Sequence, residues 1–217
     1  YVFRGASLIN VVCNISRNRA YPDFKNDSKF NNLTENTMEI LFKANSFPNT
    51  LNTLMGIESN YLLRIGDATI PNNQLQVATS VNNCTSADLQ LESGKWYHVA
   101  VAFNKGNVKV YINGVEKLSG STGKSSVSLG AKHTNEEDGS RCFWVGYSYK
   151  DDRYFDGVVS EVRIWNRALT AEEIQATNHF YTIEPESEGL IAYWKFDEGS
   201  GTVAKDYSVS GYDLRSE

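Results

Sequence analysis

The most regular stretch of the chain alternates strictly: in residues 96–103, Tyr97, Val99, Val101 and Phe103 fall on one side, and Trp96, His98, Ala100 and Ala102 on the other. A period of two is the period of a strand, whose successive side chains point to opposite faces, so the first set predicts a core-facing row. Residues 104–107 break the pattern and Val108, Val110 and Ile112 resume it against Lys109 and Tyr111. Asn113-Gly114 then offers the residue types that a two-residue type I′ hairpin turn demands. Residues 115–118 complete a three-stranded meander. Similar short runs at 7–12, 37–44, 61–65, 74–78, 142–146, 158–165 and 190–196 are separated by turn-rich spacers. Strands at this spacing predict an all-β fold, a two-sheet antiparallel β-sandwich with one short helix. Tyr97, Val99, Val101, Val110, Ile112 and Trp194 are its expected inward-facing residues.

The helix is expected over residues 170–177, where Thr170 and Glu173 have the spacing of a capping box. Residues 119–137 and 199–213, rich in Gly and Ser, read as loops, and neither is long enough to be a domain linker. The chain of 217 residues suits a single sandwich, and no tandem repeat of solenoid or propeller length is visible. One domain over 1–217 is expected, with 189–217 supplying a C-terminal strand and loop. At this size folding buries roughly 70% of the unfolded chain's surface, so stability requires no staple.

The formal net charge of -5 and the lack of a Lys/Arg run remove the electrostatic footprint of a nucleic-acid or anionic-membrane partner. No apolar stretch reaches the length of a membrane-spanning helix. Tyr1-Val2-Phe3 does not begin a signal peptide, and a chain starting without Met reads as processed or excised, with any targeting signal or anchor lying elsewhere. Cys13, Cys84 and Cys142 are too far apart for a zinc motif. Cys13 and Cys142 sit in apolar runs and read as buried thiols, with a Cys84–Cys142 bridge as the alternative. Asn14, Asn26, Asn32 and Asn83 satisfy the glycosylation acceptor pattern, which carries information only in a secreted eukaryotic chain.

Gly94-Lys95-Trp96-Tyr97-His98-Val99-Ala100-Val101, followed by Val108-Lys109-Val110-Tyr111-Ile112-Asn113-Gly114, resembles the central signature of laminin-G-like and pentraxin-like domains of the concanavalin A-like lectin/glucanase superfamily. Phe155-Asp156-Gly157-Val158-Val159-Ser160-Glu161-Val162-Arg163-Ile164-Trp165-Asn166-Arg167-Ala168-Leu169-Thr170 resembles the strand and helix entry of the same superfamily, in the same order. Gly189 to Gly201 resembles a strand that commonly opens such domains; here it closes the chain, an arrangement that resembles some bacterial surface proteins and implies that it completes the same sandwich. The resemblance implies a jelly roll, an extracellular or cell-surface location, and non-catalytic recognition of a glycan or glycoconjugate. A structural or protein-adhesion module of a larger surface protein is the competing reading, and a glycoside hydrolase a third.

The residues themselves weigh against hydrolysis. Retaining glucanases need two carboxyls facing one cleft roughly 5 Å apart, and no strand here carries such a set. Glu136-Glu137-Asp138 is a contiguous loop run, and Glu161 and Arg163 share a strand face as an ordinary ion pair. The three histidines show no metal or triad spacing; His98 reads as structural, His133 and His179 as solvated. Sugar recognition requires aromatic faces ringed by hydrogen-bonding groups, and Tyr147, Ser148, Tyr149, Asp151, Asp152, Arg153 and Tyr154 supply that mixture within one short segment. Tyr147 and Phe155 also suit a purely anchoring role. Tyr21, Asp23, Phe24 and Asn26 form a similar cluster, and the sequence leaves open whether it meets the first. Calcium is the one cofactor left open: the pentraxin resemblance implies ligands at Glu58, Asn60, Asp151 and Asp152, although Ser59 stands near an expected carboxylate and Lys150 beside the acidic pair. Asp197, Asp206 and Asp213 form a second acidic group that also suits Asx turns.

Overall fold

The structure is a computed structural model that describes residues 13–14, 20–22, 24, 27–130, 143–148, 152–176, 179–180 and 183–216. In chain order its strands are β1 (Cys13–Asn14), β2 (Ala20–Pro22), β3 (Glu35–Ala44), β4 (Asn52–Ile57), β5 (Tyr61–Asp67), β6 (Ile70–Thr79), β7 (Asn83–Cys84) and β8 (Trp96–Asn104). They continue with β9 (Asn107–Ile112), β10 (Val115–Ser121), β11 (Trp144–Val145), β12 (Gly157–Trp165), β13 (Leu190–Trp194), β14 (Val203–Ala204) and β15 (Leu214–Ser216). The single α-helix among the described residues is α1 (Ala171–Gln175). Its capping box is complete: the Thr170 hydroxyl accepts from the Glu173 backbone N–H, and the Glu173 carboxylate accepts from that of Thr170.

Two antiparallel sheets form the sandwich. A seven-stranded sheet runs β1-β12-β3-β8-β9-β10, with β13 also paired to β12, and an eight-stranded sheet runs β14-β15-β2-β11-β4-β5-β6-β7. Asn113 and Gly114 take φ of 51° and 78°, the left-handed pair that lets β9 turn directly into β10. β1 pairs at residues 158–159 of β12 and β13 at residues 162–165, while β3 takes residues along the whole strand. The run from Leu190 to Trp194 pairs with β12 of this sandwich, and β15 joins β2 and β14 in the other sheet.

The inward rows meet as expected. Val99, Val101, Phe103, Val108, Val110 and Ile112 pack with Leu63, Ile65, Leu75 and Val77 from the opposite sheet, with Trp194 fully buried and Tyr97 packed at the margin. Burial of each such side chain contributes roughly 1.5–3 kcal/mol. A second, smaller core lies on the outer face of the seven-stranded sheet, where Ala100, Ala102, Tyr111, Trp165 and Tyr193 are covered by Leu169 and Ile174 of the segment around α1. Alternation along β8 leaves that face unassigned; the segment following β12 roofs it.

The Cys84 thiol is free and buried, donates toward Ser121 O at 3.3 Å, and burial raises its pKa. This sets aside the alternative Cys84–Cys142 bridge; Cys142 and the Cys13 side chain lie outside the described residues. Among the described residues, no helix is long and apolar enough to cross a membrane.

Candidate functional site

The segment between β11 and β12 carries the expected recognition residues, and the backbone holds both of its ends. Phe155 N–H donates to Gly146 O at 2.9 Å, Thr53 N–H to Arg153 O at 3.0 Å, and the Asn49 side-chain amide to Tyr154 O at 2.8 Å. Fixed loop ends on a rigid sheet are what recognition requires.

Side-chain depth divides the segment into two roles. Tyr147 is only 2% exposed and Phe155 is fully buried, so Tyr147, expected to contact ligand, is corrected to an anchor: its ring has too little free face to stack on a sugar. Arg153 and Tyr154 are half-buried and Asp152 is exposed. Tyr149 and Asp151, together with Lys150, lie outside the described residues.

The anchor is built on Trp144. In register with Gly56, Trp144 stands on the outer face of the eight-stranded sheet, because its neighbour Val145 enters the core opposite Met55. Its indole meets Tyr147 edge-on at 5.7 Å and Tyr21 edge-on at 5.1 Å. The structure therefore joins the two aromatic clusters, with Tyr21, half-buried, as the contributor from the second. Phe24 does not take part, since it stacks on Phe30 in the core, and Asp23 and Asn26 lie outside the described residues.

An ion-pair chain runs along the same face. The Glu58 carboxylate lies 2.9 Å from Arg153 Nη1 and 3.6 Å from Arg64 Nη1, and accepts from Ser148 Oγ at 3.4 Å. Arg64 also donates to Gln76 Oε1 through Nε at 2.9 Å and Nη2 at 2.6 Å, and contacts Asp67. Two carboxylates thus balance two guanidiniums, and Arg153 is held in place with its side chain still 18% exposed. Trp144, Arg64 and Gln76 were not among the expected site residues. Their signal was legible: Arg64 interrupts the apolar run Leu62-Leu63-Arg64-Ile65, and Gln74 and Gln76 alternate with Leu75 and Val77.

The same geometry corrects the calcium expectation at two of its four positions. Both oxygens of Glu58 face guanidiniums, while Asn60 Oδ1 accepts from Lys124 Nζ at 3.0 Å and its amide donates to Ser128 O at 3.1 Å. The left-handed Ser59, φ 60°, lies between them, and a calcium ion needs six to eight oxygens free of competing cations. Asp152, the remaining expected ligand among the described residues, is exposed, and Asp151 lies outside them. The second acidic group is structural. Asp206 accepts from Tyr193 N–H, Ser208 N–H, Ser208 Oγ and Tyr212 N–H at 2.8–3.0 Å, and so anchors the turn that follows β14.

The profile of the Laminin_G_3 family, of the concanavalin A-like lectin/glucanases superfamily, matches residues 18–175. The chain belongs to this family. Among solved structures, the Laminin_G_3 chain is similar to a candidate carbohydrate-binding protein from Bacteroides ovatus, with 28% identity and a TM-score of 0.78 over 94% of this chain and 57% of that one. It therefore spans little more than half of that relative. A SAP-like pentraxin from Limulus polyphemus superposes with a TM-score of 0.52 at 16% identity, over 87% of this chain and 86% of that chain. A sialidase from Trypanosoma rangeli does so at 0.51 and 16% identity, over 75% of this chain and 26% of that chain. These last two likenesses show the fold alone. No curated protein matches the Laminin_G_3 chain.

Proposed function

We propose that this Laminin_G_3 domain is a non-catalytic, extracellular carbohydrate-binding module that takes a glycan on the surface formed by Asp152, Arg153, Tyr154 and Tyr21. The observation that carries this reading is the joining of half-exposed aromatic rings to a fixed guanidinium. Trp144 and Tyr147 support the aromatic side, and Glu58 and Arg64 hold Arg153. A pyranose presents an apolar face and a ring of hydroxyls, and this surface offers Tyr faces for the first and Arg153 and Asp152 for the second. The likeness at 28% identity to the Bacteroides ovatus protein supports the ligand class.

The competing adhesion reading calls for a flat apolar patch. The exposed large hydrophobics among the described residues are Val81, Val115, Val203 and Val209, which offer no aromatic anchor for a protein partner. For the hydrolase reading, Glu58 and Asp67, two carboxylates on the proposed face, are both engaged by Arg64. Glu161 is engaged with Arg163, and the run at residues 136–138 lies outside the described residues.

A glycan array with the purified domain, followed by titration calorimetry with and without a chelator, tests the proposal. Tyr154→Ala should weaken binding by about 1 to 3 kcal/mol, by analogy with base stacking on aromatic rings, while leaving the melting temperature unchanged. Binding that survives the chelator places recognition on the side chains alone. A domain that binds no glycan on the array, or whose affinity is untouched in both Tyr154→Ala and Arg153→Met, overturns the assignment.

A further inference from the structure

A separate group of titratable side chains lies on the outer face of the seven-stranded sheet, inside the second core. Glu39 on β3 and His98 on β8 point to this face because their neighbours Ile40 and Val99 point into the inter-sheet core. His179 comes down onto them from the roofing segment just past α1, with its N–H donating to Ala176 O at 2.9 Å and its carbonyl accepting from Arg163 Nη1 at 2.7 Å. His98 Nε2 lies 3.1 Å and His179 Nε2 2.5 Å from the same atom, Glu39 Oε1. One ligand atom from each residue falls within 4.8 Å of the other two. Glu39, His98 and His179 are 1%, 3% and 6% exposed, respectively. The reading of His179 as a solvated residue is corrected here. So is the absence of a metal spacing among the histidines, because the sheet and its roof bring together residues that lie far apart in the chain.

A second observation concerns His98. Neither of its ring nitrogens has a hydrogen-bond partner, although Nε2 sits 3.1 Å from Glu39 Oε1. The contact is off the line of a hydrogen bond, as befits two groups aimed at a common point rather than at each other. Buried polar groups in native proteins are rarely left without a partner, and a bound ion is one way in which such an orphan is satisfied.

One of the three candidate ligands, Glu39, is oriented by a hydrogen bond of the kind that a metal centre's outer shell supplies. Trp165 Nε1–H donates to the other Glu39 oxygen, Oε2, at 2.6 Å, which leaves Oε1 turned to the imidazoles. Arg163, 4.0 Å from Oε2, is countered by Glu161. With neutral imidazoles the group of Glu39, Glu161 and Arg163 carries one net negative charge. Burial pushes the His98 pKa down, against the raising effect of Glu39. For Glu39, burial opposes ionisation, but the hydrogen bond from His179 and its charged neighbours hold the pKa well below the usual carboxylate range. A shallow depression bordered by Leu41, Glu161, Arg163 and Phe180 overlies Glu39 and His98.

Two imidazole nitrogens and one carboxylate oxygen form a donor set that suits zinc and its transition-metal neighbours, whereas calcium and magnesium take oxygen. At zinc–ligand distances of about 2.0–2.2 Å, tetrahedral ligand atoms stand roughly 3.3 Å apart, so His98 Nε2, 3.1 Å from Glu39 Oε1, is already near that spacing and His179 Nε2, at 2.5 Å, has to draw back. We propose that Glu39, His98 and His179 bind one zinc-type divalent ion, and that the ion clamps the roofing segment to the sheet. The inference is independent of the glycan reading, which uses the opposite face of the sandwich.

The test uses the whole chain stripped with a chelator, dialysed, and titrated with zinc chloride by calorimetry and with cobalt(II) chloride by visible absorption. The expected result is one ion per chain, a cobalt spectrum of tetrahedral intensity, and a melting temperature that rises when zinc is returned. Trp165→Phe, which removes the donor orienting Glu39, should weaken zinc by roughly 10- to 100-fold, and His179→Gln by at least as much. Uptake of less than one zinc per chain by the stripped wild type, an octahedral cobalt spectrum, or equal zinc affinity in wild type and Trp165→Phe overturns the proposal. Should His179→Gln fail to fold, the wild-type stoichiometry and spectrum still decide it.

Discussion

Each sheet carries on its outer face a carboxylate shared among nitrogen-bearing side chains, and the two arrangements differ in partner and in depth. Glu58 lies between the guanidiniums of Arg64 and Arg153, with its side chain 12% exposed and that of Arg153 18% exposed. Glu39 lies between two imidazoles, beside Arg163, with its side chain 1% exposed. A guanidinium is always charged and cannot give up its protons, so the Glu58 group is saturated and serves to fix Arg153. An imidazole can be neutral and can turn a lone pair outward, so the Glu39 group retains coordinating capacity. The same carboxylate thus becomes a brace on one face and a candidate ligand on the other.

The comparison breaks most visibly in stability. Glu39→Ala, measured by urea denaturation in the presence of chelator, should cost about 3–5 kcal/mol, because it leaves the buried Trp165 Nε1–H and His179 Nε2 without their shared partner, while Arg163 keeps only the Glu161 carboxylate. Glu58→Ala should cost less, about 1–3 kcal/mol, since Arg64 keeps Asp67 and Gln76 and Arg153 reaches solvent. Its larger consequence should be a loss of glycan affinity from a loosened Arg153. Equal stability losses in the two variants would mean that depth is not what separates the faces.

The smallest effect is expected at the roof's own anchor. Thr170→Ala removes half of the capping box and should cost about 1 kcal/mol by thermal denaturation. Glu173 is opposed in ionising by burial, but the Thr170 backbone N–H and Arg167 lower its pKa below its ordinary value of 4.5. A depressed folded pKa means that this contribution is present above about pH 4.5 and is lost as the pH falls further. The stability difference between wild type and Glu173→Gln should therefore narrow on acidification below that point. A difference that stays constant would show that Glu173 does not hold the cap as a carboxylate.

What the chain's pattern disclosed follows from where the pattern is unambiguous. The β8–β9–β10 meander, the turn at Asn113-Gly114 and the Thr170 cap are local, and each was legible from a few adjacent residues. The second core was missed because alternation on β8 marked only Tyr97, Val99, Val101 and Phe103 as a core row and left the face of His98, Ala100 and Ala102 unassigned. The contrary sign was the uninterrupted run Leu190-Ile191-Ala192-Tyr193-Trp194, buried at every position, since strands covered on both faces read as continuous apolar runs. Of the candidate site, Arg153 and Tyr154 could be named from composition, but the Trp144 support and the Glu58 brace depend on contacts between strands distant in sequence. The Glu39, His98 and His179 group was invisible for the same reason: sequence separation hides what sheet register and a roof bring together.

The pairing of β15 with β2 has a consequence for how this chain acquires its fold. Leu214 sits opposite Pro22 and Ser216 opposite Ala20, so one sheet joins residues that lie far apart in the sequence. During vectorial synthesis the central hairpins can assemble early, but this closure has to wait until β15 has left the ribosome. Long-range pairing of this kind slows folding and prolongs the exposure of strand edges. Chaperone demand and aggregation during expression should therefore track the interval before β13, β14 and β15 emerge, and a permutant in which these strands precede β2 should shorten it.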